Sequence, residues 1–205
     1  VVEDVDRIAI AGIREIVLTG VNIGTFGQQH QESLSELLES LIKVQGIDRI
    51  RISSIEPDLL TDRIIEQTAM HPKLMPHFHI PLQSGSDRIL KLMNRRYNRE
   101  VFADRVRMIK KLIPTCCIAA DVITGFPDET DGDFMETYRF IESLPVSYLH
   151  VFTYSERPGT KAASMKNQVS PEIKKERSKI LHELSESLKK RFVQDNIETK
   201  QKVLF

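Results

Sequence analysis

The 205-residue chain has 40% apolar residues, enough for a hydrophobic core, and its 29 Lys and Arg side chains balance 29 Asp and Glu side chains. The overall charge therefore favours no class of partner. The sequence has no secretory signal pattern and no apolar run long enough to cross a bilayer, and its two cysteines, Cys116 and Cys117, are adjacent and lack metal-site spacing. We therefore expect a cytoplasmic protein with no membrane partner and no metal ligands of its own.

In chain order, short apolar runs alternate with amphipathic stretches, which predicts repeated βα units around a parallel sheet. A periodic stretch that begins at Val2 precedes the first strand. The predicted strands cover residues 15–21, 49–54, 77–82, 117–124 and 148–153, and the predicted helices between them cover 34–44, 58–70, 86–112 with a break, and 130–144. Five parallel strands, each followed by a helix, are typical of an open doubly wound sheet or of a partial (β/α) barrel.

The last predicted helix, 171–197, differs from the others because it has a single apolar stripe and is otherwise mostly charged. The stripe consists of Ile173, Ile180, Leu184, Leu188 and Phe192. Ser170 is a typical N-terminal cap, and Pro171 fits the first turn. We expect this helix to dock along the edge of the sheet or to lead into a further domain, since the stripe is too short to favour a coiled coil.

The carboxyl ends of the five predicted strands carry the residues that point to function. Ligands bind at these ends in parallel α/β folds, and here they read TGVNIG, SSIEP, PLQSGS, ITGFPDET and TYSERPGT. Each one alone can be loop chemistry: Ser86 and Asp87 could cap the next helix, and Glu129 suits a helix start. Five such ends in one chain favour a ligand site over turn chemistry alone.

The groups at these strand ends suit an amino acid attached to a nucleoside. Gly20 and Asn22 offer open backbone groups and an amide. The Glu56 carboxylate, close to the Ser54 hydroxyl, suits an ammonium group. The pair suited to ribose hydroxyls is Gln83 and Ser84, and the turn suited to a flat heterocycle comprises Thr124, Gly125, Phe126 and Pro127. Such a ligand matches S-adenosylmethionine, although these residues also allow other nucleotides.

A basic segment follows the third strand. Between residues 88 and 111 there are nine Lys or Arg residues and only two acidic ones. In a neutral protein such a concentration either presents a local surface to phosphates or is the solvated face of a helix, and spacing alone does not separate the two.

Two histidines, His77 and His79, alternate on the third strand and therefore point to the same side. They could be metal ligands. Their apolar neighbours favour packing and hydrogen bonding instead.

Three strings, HIPLQSGSDRILKLMNRRY, DVITGFPDET and YSERPGTKAA, in this order and spacing, resemble the radical S-adenosylmethionine (radical SAM) methylthiotransferases. The resemblance covers essentially the whole chain. Within that family, EIVLTGVNIGTFG and LHVFTYSERPGTKAA are most similar to the branch that methylthiolates N6-threonylcarbamoyladenosine next to the anticodon of tRNA. The branch acting on isopentenyladenosine is the nearer alternative. The branch acting on a ribosomal-protein aspartate usually has an acidic residue where this chain has Pro158.

For the fold, the resemblance implies an α/β domain with a parallel sheet, a partial, TIM-like (β/α)6 radical SAM barrel. The family holds a [4Fe–4S] cluster in a CxxxCxxC loop after its first strand, and this sequence contains no CxxxCxxC. We therefore expect a truncated barrel whose first strand is missing. Strands two to six would occupy residues 1–169, a C-terminal helix packing on the barrel 170–199, and the start of a TRAM domain 200–205.

The resemblance also assigns roles to single residues, none of them catalytic. For S-adenosylmethionine it implies Gly20, Asn22, Ser54, Glu56, Gln83, Ser84, Arg95, Thr124, Gly125, Phe126 and Pro127. For substrate it implies Tyr154 and Arg157, with Arg96 and Arg99 as weaker candidates for tRNA contacts.

The implied activity is a radical SAM transferase reaction that places a methylthio group on C2 of the modified adenosine. The family uses two [4Fe–4S] clusters, a tRNA substrate and an electron donor such as flavodoxin or ferredoxin, and a fragment without the cluster ligands would be inactive alone. Two interpretations of other classes stay open. A non-catalytic RNA-binding module would need the basic segment but not five ligand-like strand ends. A Schiff-base barrel enzyme would need a lysine within a strand, which the predicted strands lack.

Overall fold

The computed structural model describes residues 1–200 and 203–204. Its helices are α1 (Val2–Ile10), α2 (Leu34–Leu41), α3 (Asp62–Met70), α4 (Asp87–Leu92), α5 (Arg99–Leu112), α6 (Asp131–Glu142) and α7 (Pro171–Asp195). Its strands are β1 (Glu15–Leu18), β2 (Arg49–Ile52), β3 (His77–Gln83), β4 (Cys117–Thr124) and β5 (Tyr148–Thr153), and short 3₁₀ turns cover Ile23–Thr25, Gln28–His30 and Ala162–Ser164. Every predicted strand and helix is present. β1 and β2 end earlier than predicted, and the break expected in 86–112 separates α4 from α5.

All strand pairs are parallel, as expected for βα units. β1 pairs with β2, and β3, β4 and β5 form a three-stranded sheet in that order. Isolated contacts join the two sheets: the Ile50 N–H donates to the Lys73 carbonyl at 2.7 Å, and the Ile55 N–H donates to the His79 carbonyl at 3.0 Å. The five strands therefore follow one another in chain order, and within the described residues β1 and β5 do not pair to close a barrel.

The helices bury one face of this five-stranded arrangement. The buried side chains at alternate strand positions are Ile16, Ile50, Ile52, Phe78, Ile80, Ile118, Ala120, Val122 and Leu149. They share a core with helix residues such as Leu38, Ile65 and Phe102. The intervening strand residues point to the opposite face, and most of them are more exposed, with Ala119 and Pro81 as buried exceptions. Helices on one face are typical of a (β/α) barrel, whereas a doubly wound sheet has helices on both faces. The partial barrel is therefore confirmed.

The end of β3 lies against α6, and this contact explains the small residues of the QSGS string. The Ser84 hydroxyl is hydrogen-bonded to that of Thr137 at 3.1 Å, and the Gly85 N–H donates to the same Thr137 oxygen at 3.0 Å. A Cβ on Gly85 would lie 2.7 Å from the Thr137 Cα, closer than real Cβ contacts come. Ser86 occupies the N-cap position of α4, but its side chain does not make the capping hydrogen bond that turn chemistry alone would give, because its hydroxyl donates to Asp133 at 2.9 Å instead. The strand and the helix can approach this closely only with glycine between them.

The last helix starts as the sequence predicts and packs on the sheet. The Ser170 hydroxyl accepts the Ile173 N–H, and Pro171 occupies the first turn. Further along α7, the Ser185 hydroxyl accepts the Leu149 N–H at 2.9 Å and donates to the Leu149 carbonyl at 3.2 Å. The helix therefore docks along β5, the first of the two arrangements expected for it.

Within residues 1–200 and 203–204, no helix combines the length and the apolar character needed to cross a membrane. Of the TRAM start predicted for 200–205, residues 201, 202 and 205 lie outside the described residues. The domain boundaries at 169 and 199 stay predictions.

We expect Gly85→Ala to destabilise the protein by about 2–3 kcal/mol, because the added methyl group must push β3 and α6 apart in a packed core. Gly132→Ala is the matched control. Gly132 lies in the first turn of α6, where an added Cβ meets nothing closer than 3.5 Å, and alanine favours a helix by roughly 0.5–1 kcal/mol over glycine. Urea unfolding measures both variants. Equal stability of the two would contradict this account of the β3–α6 contact.

Candidate functional site

The carboxyl ends of the five parallel strands lie at one edge of the sheet, which a shared ligand site requires. β3 ends there with a bulge between Pro81 and Gln83. Gln83 has a φ of 68°, a left-handed conformation that is uncommon for a residue with a side chain, and it is 8% exposed. Strained backbone of this kind clusters at ligand sites, which agrees with the role predicted for Gln83.

Two predicted cofactor residues, Glu56 and Arg95, form an ion pair with each other. The Arg95 Nη1 donates to the Glu56 Oε1 at 3.0 Å, and both side chains are largely buried. The Arg95 Nε is also buried and has no acceptor among the described residues. Because a buried donor without a partner costs about 1–3 kcal/mol, an acceptor supplied by a ligand would be favourable here.

The turn after β4 is fixed by a buried ion pair with α7. Gly125 has a φ of 74°, and its N–H donates to the Glu129 Oε2 at 2.8 Å. Arg177 of α7 donates to the same carboxylate oxygen at 2.6 Å, and both charged side chains are almost fully buried. Burial raises the pKa of Glu129, while the Gly125 N–H and Arg177 oppose that rise by stabilising the carboxylate. The C-terminal helix therefore holds the turn in which a heterocycle is predicted to bind.

Phe126 and Tyr154 bring the ends of β4 and β5 together. Their rings pack edge to face with centroids 5.3 Å apart. The Lys174 ammonium lies 5.1 Å from the centre of the Tyr154 ring and donates to the Tyr154 carbonyl at 3.4 Å. The Tyr154 hydroxyl is buried and has no partner among the described residues, so it is a second unsatisfied polar group at this edge.

A cavity of about 1230 Å³ lies beside these rings. The charged side chains that line it are Arg88, Lys91, Arg95, Arg157 and Lys161, and the aromatic ones are Phe126, Phe152 and Tyr154. Four predicted site residues thus share one cavity: Arg95, Phe126, Tyr154 and Arg157. The described lining contains no Asp or Glu. Arg88 and Arg95 are ion-paired with Asp133 and Glu56, whereas Lys91, Arg157 and Lys161 make no ion pair in the described part of the chain. Unpaired cations beside aromatic rings favour an anion with planar groups. The volume also exceeds the roughly 300–1,000 Å³ of a single small-molecule pocket.

Other predicted cofactor residues are engaged within the fold. Ser84 is bonded to Thr137, and the Thr124 hydroxyl donates to the Lys174 carbonyl at 3.5 Å, both without exposed surface. Their contacts with a cofactor stay predictions.

The remaining predicted cofactor residues lie around the same edge. Gly20 is exposed, and the Asn22 Oδ1 is buried without a donor among the described residues. Ser54 is half-buried beside the bridge to β3, and Pro127 is buried in the turn after β4.

The basic segment contains arginines with different roles. Arg99 is ion-paired with Glu136, and its guanidinium carbon lies 5.8 Å from the centre of the Phe140 ring. Arg96, in contrast, is exposed and makes no hydrogen bond or ion pair in the described part of the chain. Contact with tRNA stays a prediction for both, and Arg96 is the residue available for it.

The structure also reveals a polar cluster that the sequence analysis did not assemble. The His79 Nε2 lies 2.5 Å from the Asp121 Oδ1, and the ring of His150 has its centroid 5.0 Å from that of His79. The hydrogen bond expected for His79 is thus present. The sequence did contain a pattern that could have identified this cluster. His79, Asp121 and His150 each lie four positions before a strand-end string, namely QSGS, GFP and YSERP respectively.

Comparison with known proteins gives three informative matches. Residues 1–141 match the Radical SAM superfamily. The chain is 45% identical over 194 residues to the threonylcarbamoyladenosine tRNA methylthiotransferase of Bacillus subtilis, a match that covers 94% of this chain and 43% of that protein. It is 39% identical over 206 residues to the tRNA-2-methylthio-N6-dimethylallyladenosine synthase of Pelotomaculum thermopropionicum, covering 100% of this chain and 46% of that protein. The chain spans about half the length of the curated relatives it matches.

Among solved structures, the chain is similar to coproporphyrinogen III oxidase from Escherichia coli, a radical SAM enzyme. The TM-score is 0.69 at 16% identity, over 91% of this chain and 45% of that one. At this identity the similarity shows the fold alone.

We expect Tyr154→Phe to raise the free energy of unfolding by about 1 kcal/mol or more, because it removes a buried hydroxyl that has no partner in the fold. Tyr97→Phe is the matched control. The buried Tyr97 hydroxyl donates to the Pro81 carbonyl at 2.7 Å, so its removal should cost about 1 kcal/mol or more. Urea unfolding of both variants measures the contrast, and a loss above about 1 kcal/mol in Tyr154→Phe would mean that its hydroxyl is satisfied in the free protein.

Proposed function

The chain belongs to the radical SAM superfamily, and on this premise we propose that it is the central part of an enzyme that transfers a methylthio group to C2 of N6-threonylcarbamoyladenosine in tRNA. A relative with 45% identity carries the corresponding name. The observation that carries the tRNA part of the proposal is the cationic, aromatic-walled cavity. Such surfaces bind the phosphate backbone and stack unpaired bases, and the anticodon loop offers both. A tRNA substrate also fits the cytoplasmic location expected from the sequence.

The strand ends suit S-adenosylmethionine, which when bound supplies the one-electron chemistry that activates a carbon–hydrogen bond. Asn22 Oδ1 and Arg95 Nε are buried without partners and can accept from and donate to such a ligand. The Glu56–Arg95 pair presents a carboxylate beside a guanidinium, which complements the ammonium and carboxylate of an α-amino acid group. Gln83 would bind ribose hydroxyls, and Phe126 would contact the adenine ring.

The cysteines of this chain do not fit a [4Fe–4S] cluster. Cys116 and Cys117 are neighbours on the polypeptide, Cys116 is buried, and burial raises its pKa to about 12. Cluster ligands are thiolates, which burial of this kind disfavours. We therefore assign both clusters of the methylthiotransferases, and contact with an electron donor such as flavodoxin or ferredoxin, to residues outside this sequence. The residues present here would bind and orient cofactor and substrate.

Two alternatives compete with this assignment. The nearer one is the dimethylallyl, or isopentenyl, form of the modified adenosine, because a relative with 39% identity is named for it. The other is a non-catalytic RNA-binding module, since the cationic cavity alone would hold RNA. The proposal and its alternatives predict different changes in cellular tRNA when the gene is removed, because each one affects a different modified nucleoside or none.

Nucleoside mass spectrometry of total tRNA, from cells with and without the gene, tests the proposal. We expect loss of 2-methylthio-N6-threonylcarbamoyladenosine and accumulation of its unmethylthiolated precursor, both reversed when the intact gene is restored. Loss of the isopentenyl counterpart instead would move the enzyme to the neighbouring branch. No change in either nucleoside would reject methylthiolation of tRNA and leave RNA binding or a ribosomal-protein substrate.

We expect Arg96→Ala in the full-length protein to weaken tRNA binding and to lower the slope of log affinity against log salt by about one, because one uncompensated cation is removed from a phosphate contact. Arg107→Ala is the matched control, since Arg107 is exposed but ion-paired with Glu100 and Asp104. Filter binding from about 50 to 300 mM salt measures both slopes. The same slope change in the two variants would contradict a specific role for Arg96.

A further inference from the structure

The inner face of the sheet, which the helices leave open, is polar where a barrel core is normally apolar. Parallel (β/α) barrels fill this space with layers of branched apolar side chains. Here the inward positions of four neighbouring strands carry Arg51, His77, His79, Asp121, Tyr148 and His150, which we term the inner polar cluster. Each of these side chains keeps some exposure. Because so many polar groups would be costly in a sealed apolar core, their partial exposure on this face indicates an open compartment that can hold a polar ligand.

Five of the six members of the inner polar cluster are linked by contacts, and Arg51 acts on His77 through its charge. The His79 and Asp121 side chains share the 2.5 Å hydrogen bond and are 26% and 15% exposed. The His150 ring lies 5.0 Å from that of His79 and 5.2 Å from that of Tyr148. The His77 Nε2 is 3.5 Å from the Tyr148 hydroxyl. Burial, and then the nearby Arg51 cation, lower the pKa of His77 to about 4, so His77 is neutral at physiological pH.

The inner polar cluster lies directly below the large cavity. Asp121 and His150 are paired in the β4–β5 register, and the next pair on the same face is Ile123 with Phe152. Ile123 and Phe152 line the cavity. Two residues of strand correspond to about 6.6 Å. A substituent that projects from a nucleoside in the cavity toward the inner face would therefore pass Ile123 and Phe152 and then reach His150.

The charges of the cluster favour a ligand that accepts hydrogen bonds. Its carboxylate, Asp121, is already hydrogen-bonded to His79. Arg51 makes no hydrogen bond or ion pair in the described part of the chain, and His150 is the exposed histidine of the cluster. Arg51 and His150 are therefore the donors available to a ligand.

We propose that the inner polar cluster receives the threonyl carboxylate and hydroxyl of N6-threonylcarbamoyladenosine, and that His150 determines specificity for this substituent. This inference rests on the proposed function and refines it. A threonylcarbamoyl group carries a carboxylate, a hydroxyl and a urea, which imidazole and guanidinium donors bind. A dimethylallyl group is a hydrocarbon and would leave the same donors unpaired. Sites built to hydrogen-bond a substrate reject analogues that lack the bonding group.

A divalent metal is the other ligand that two histidines and a carboxylate could bind. The candidate ligand atoms of His79, Asp121 and His150 lie within 4.8 Å of one another. However, His79 and Asp121 are 2.5 Å apart, whereas two ligands of one metal ion are separated by about 3 Å or more. The geometry is that of a hydrogen-bonded pair, and metal content serves as an outcome of the test.

The test compares the full-length enzyme with its His150→Leu and His150→Gln variants. The substrates are anticodon stem–loops that carry either N6-threonylcarbamoyladenosine or N6-dimethylallyladenosine. We expect His150→Leu to lower kcat/KM for the threonylcarbamoyl RNA by about tenfold or more, mainly through KM, and to weaken binding of that RNA without weakening binding of the dimethylallyl RNA. His150→Gln keeps a donor and should recover part of the loss, and Arg51→Gln should also raise KM for the threonylcarbamoyl RNA. The KM for S-adenosylmethionine should not change.

His182→Leu is the matched control. His182 is exposed on α7 and hydrogen-bonds within its own helix, so we expect neither substrate to be affected. The same metal-content measurement on all variants detects an ion bound by the cluster.

Three results would overturn the inference. Equal losses on both RNAs in His150→Leu would mean a structural or general role. One equivalent of zinc in the wild type that disappears in His150→Leu would make the cluster a metal centre. If the wild-type enzyme is active on the threonylcarbamoyl RNA and His150→Leu keeps the same preference between the two RNAs, this inference is rejected while the proposed function stands. A wild-type enzyme inactive on that RNA would instead reject the proposed function, and the inference with it.

Discussion

Burial of a single face of the five-stranded sheet is the constraint on which the rest of this molecule depends. Because the helices cover the outer face, side chains such as Phe78 and Ile118 are fully buried there, and the alternate positions face inward. No helix covers that inner face in the described residues, so it is free to carry polar groups such as Asp121 and His150. The strand ends and the inner face then form one continuous surface. The proposed nucleoside site comprises both the strand ends and the inner face of the sheet.

The C-terminal helix is part of that surface rather than an appendage to it. Arg177 reaches the buried Glu129 carboxylate, which in turn accepts the Gly125 N–H, and Lys174 contacts the Tyr154 ring from the same helix. Removing one partner of a buried ion pair typically costs about 3–5 kcal/mol, because the other charge is left without compensation. The helix therefore fixes the turn after β4 and the end of β5, the two segments that carry the aromatic wall of the cavity.

Local sequence patterns sufficed to predict the strands and helices, but they did not predict contacts between residues that are distant in the sequence. β4 and β5 begin and end at the predicted residues, because short apolar runs bounded by Gly, Pro or polar residues define strands of a one-sided sheet. The sequence allowed Ser86 to act as a helix cap, whereas its bond to Asp133, 47 residues later, is set by how β3 packs on α6. Glu129 suited a helix start, yet its carboxylate is ion-paired with Arg177, 48 residues away. Such pairings depend on tertiary packing, which no local spacing encodes. The proximity of His150 and Asp121 is also a long-range contact, but the sequence contains a sign of it, because each residue lies four positions before its strand-end string.

Photo-crosslinking tests most directly whether the inner face and the cavity receive the modified nucleoside. An anticodon stem–loop with a photoreactive adenosine at the modified position would be crosslinked to the full-length enzyme, and the modified peptides would be identified by mass spectrometry. This account predicts crosslinks within residues 148–157 of β5 and the loop that follows, and within the cavity-lining segment 88–95. Crosslinks confined to α2 and α3 on the outer face would contradict it.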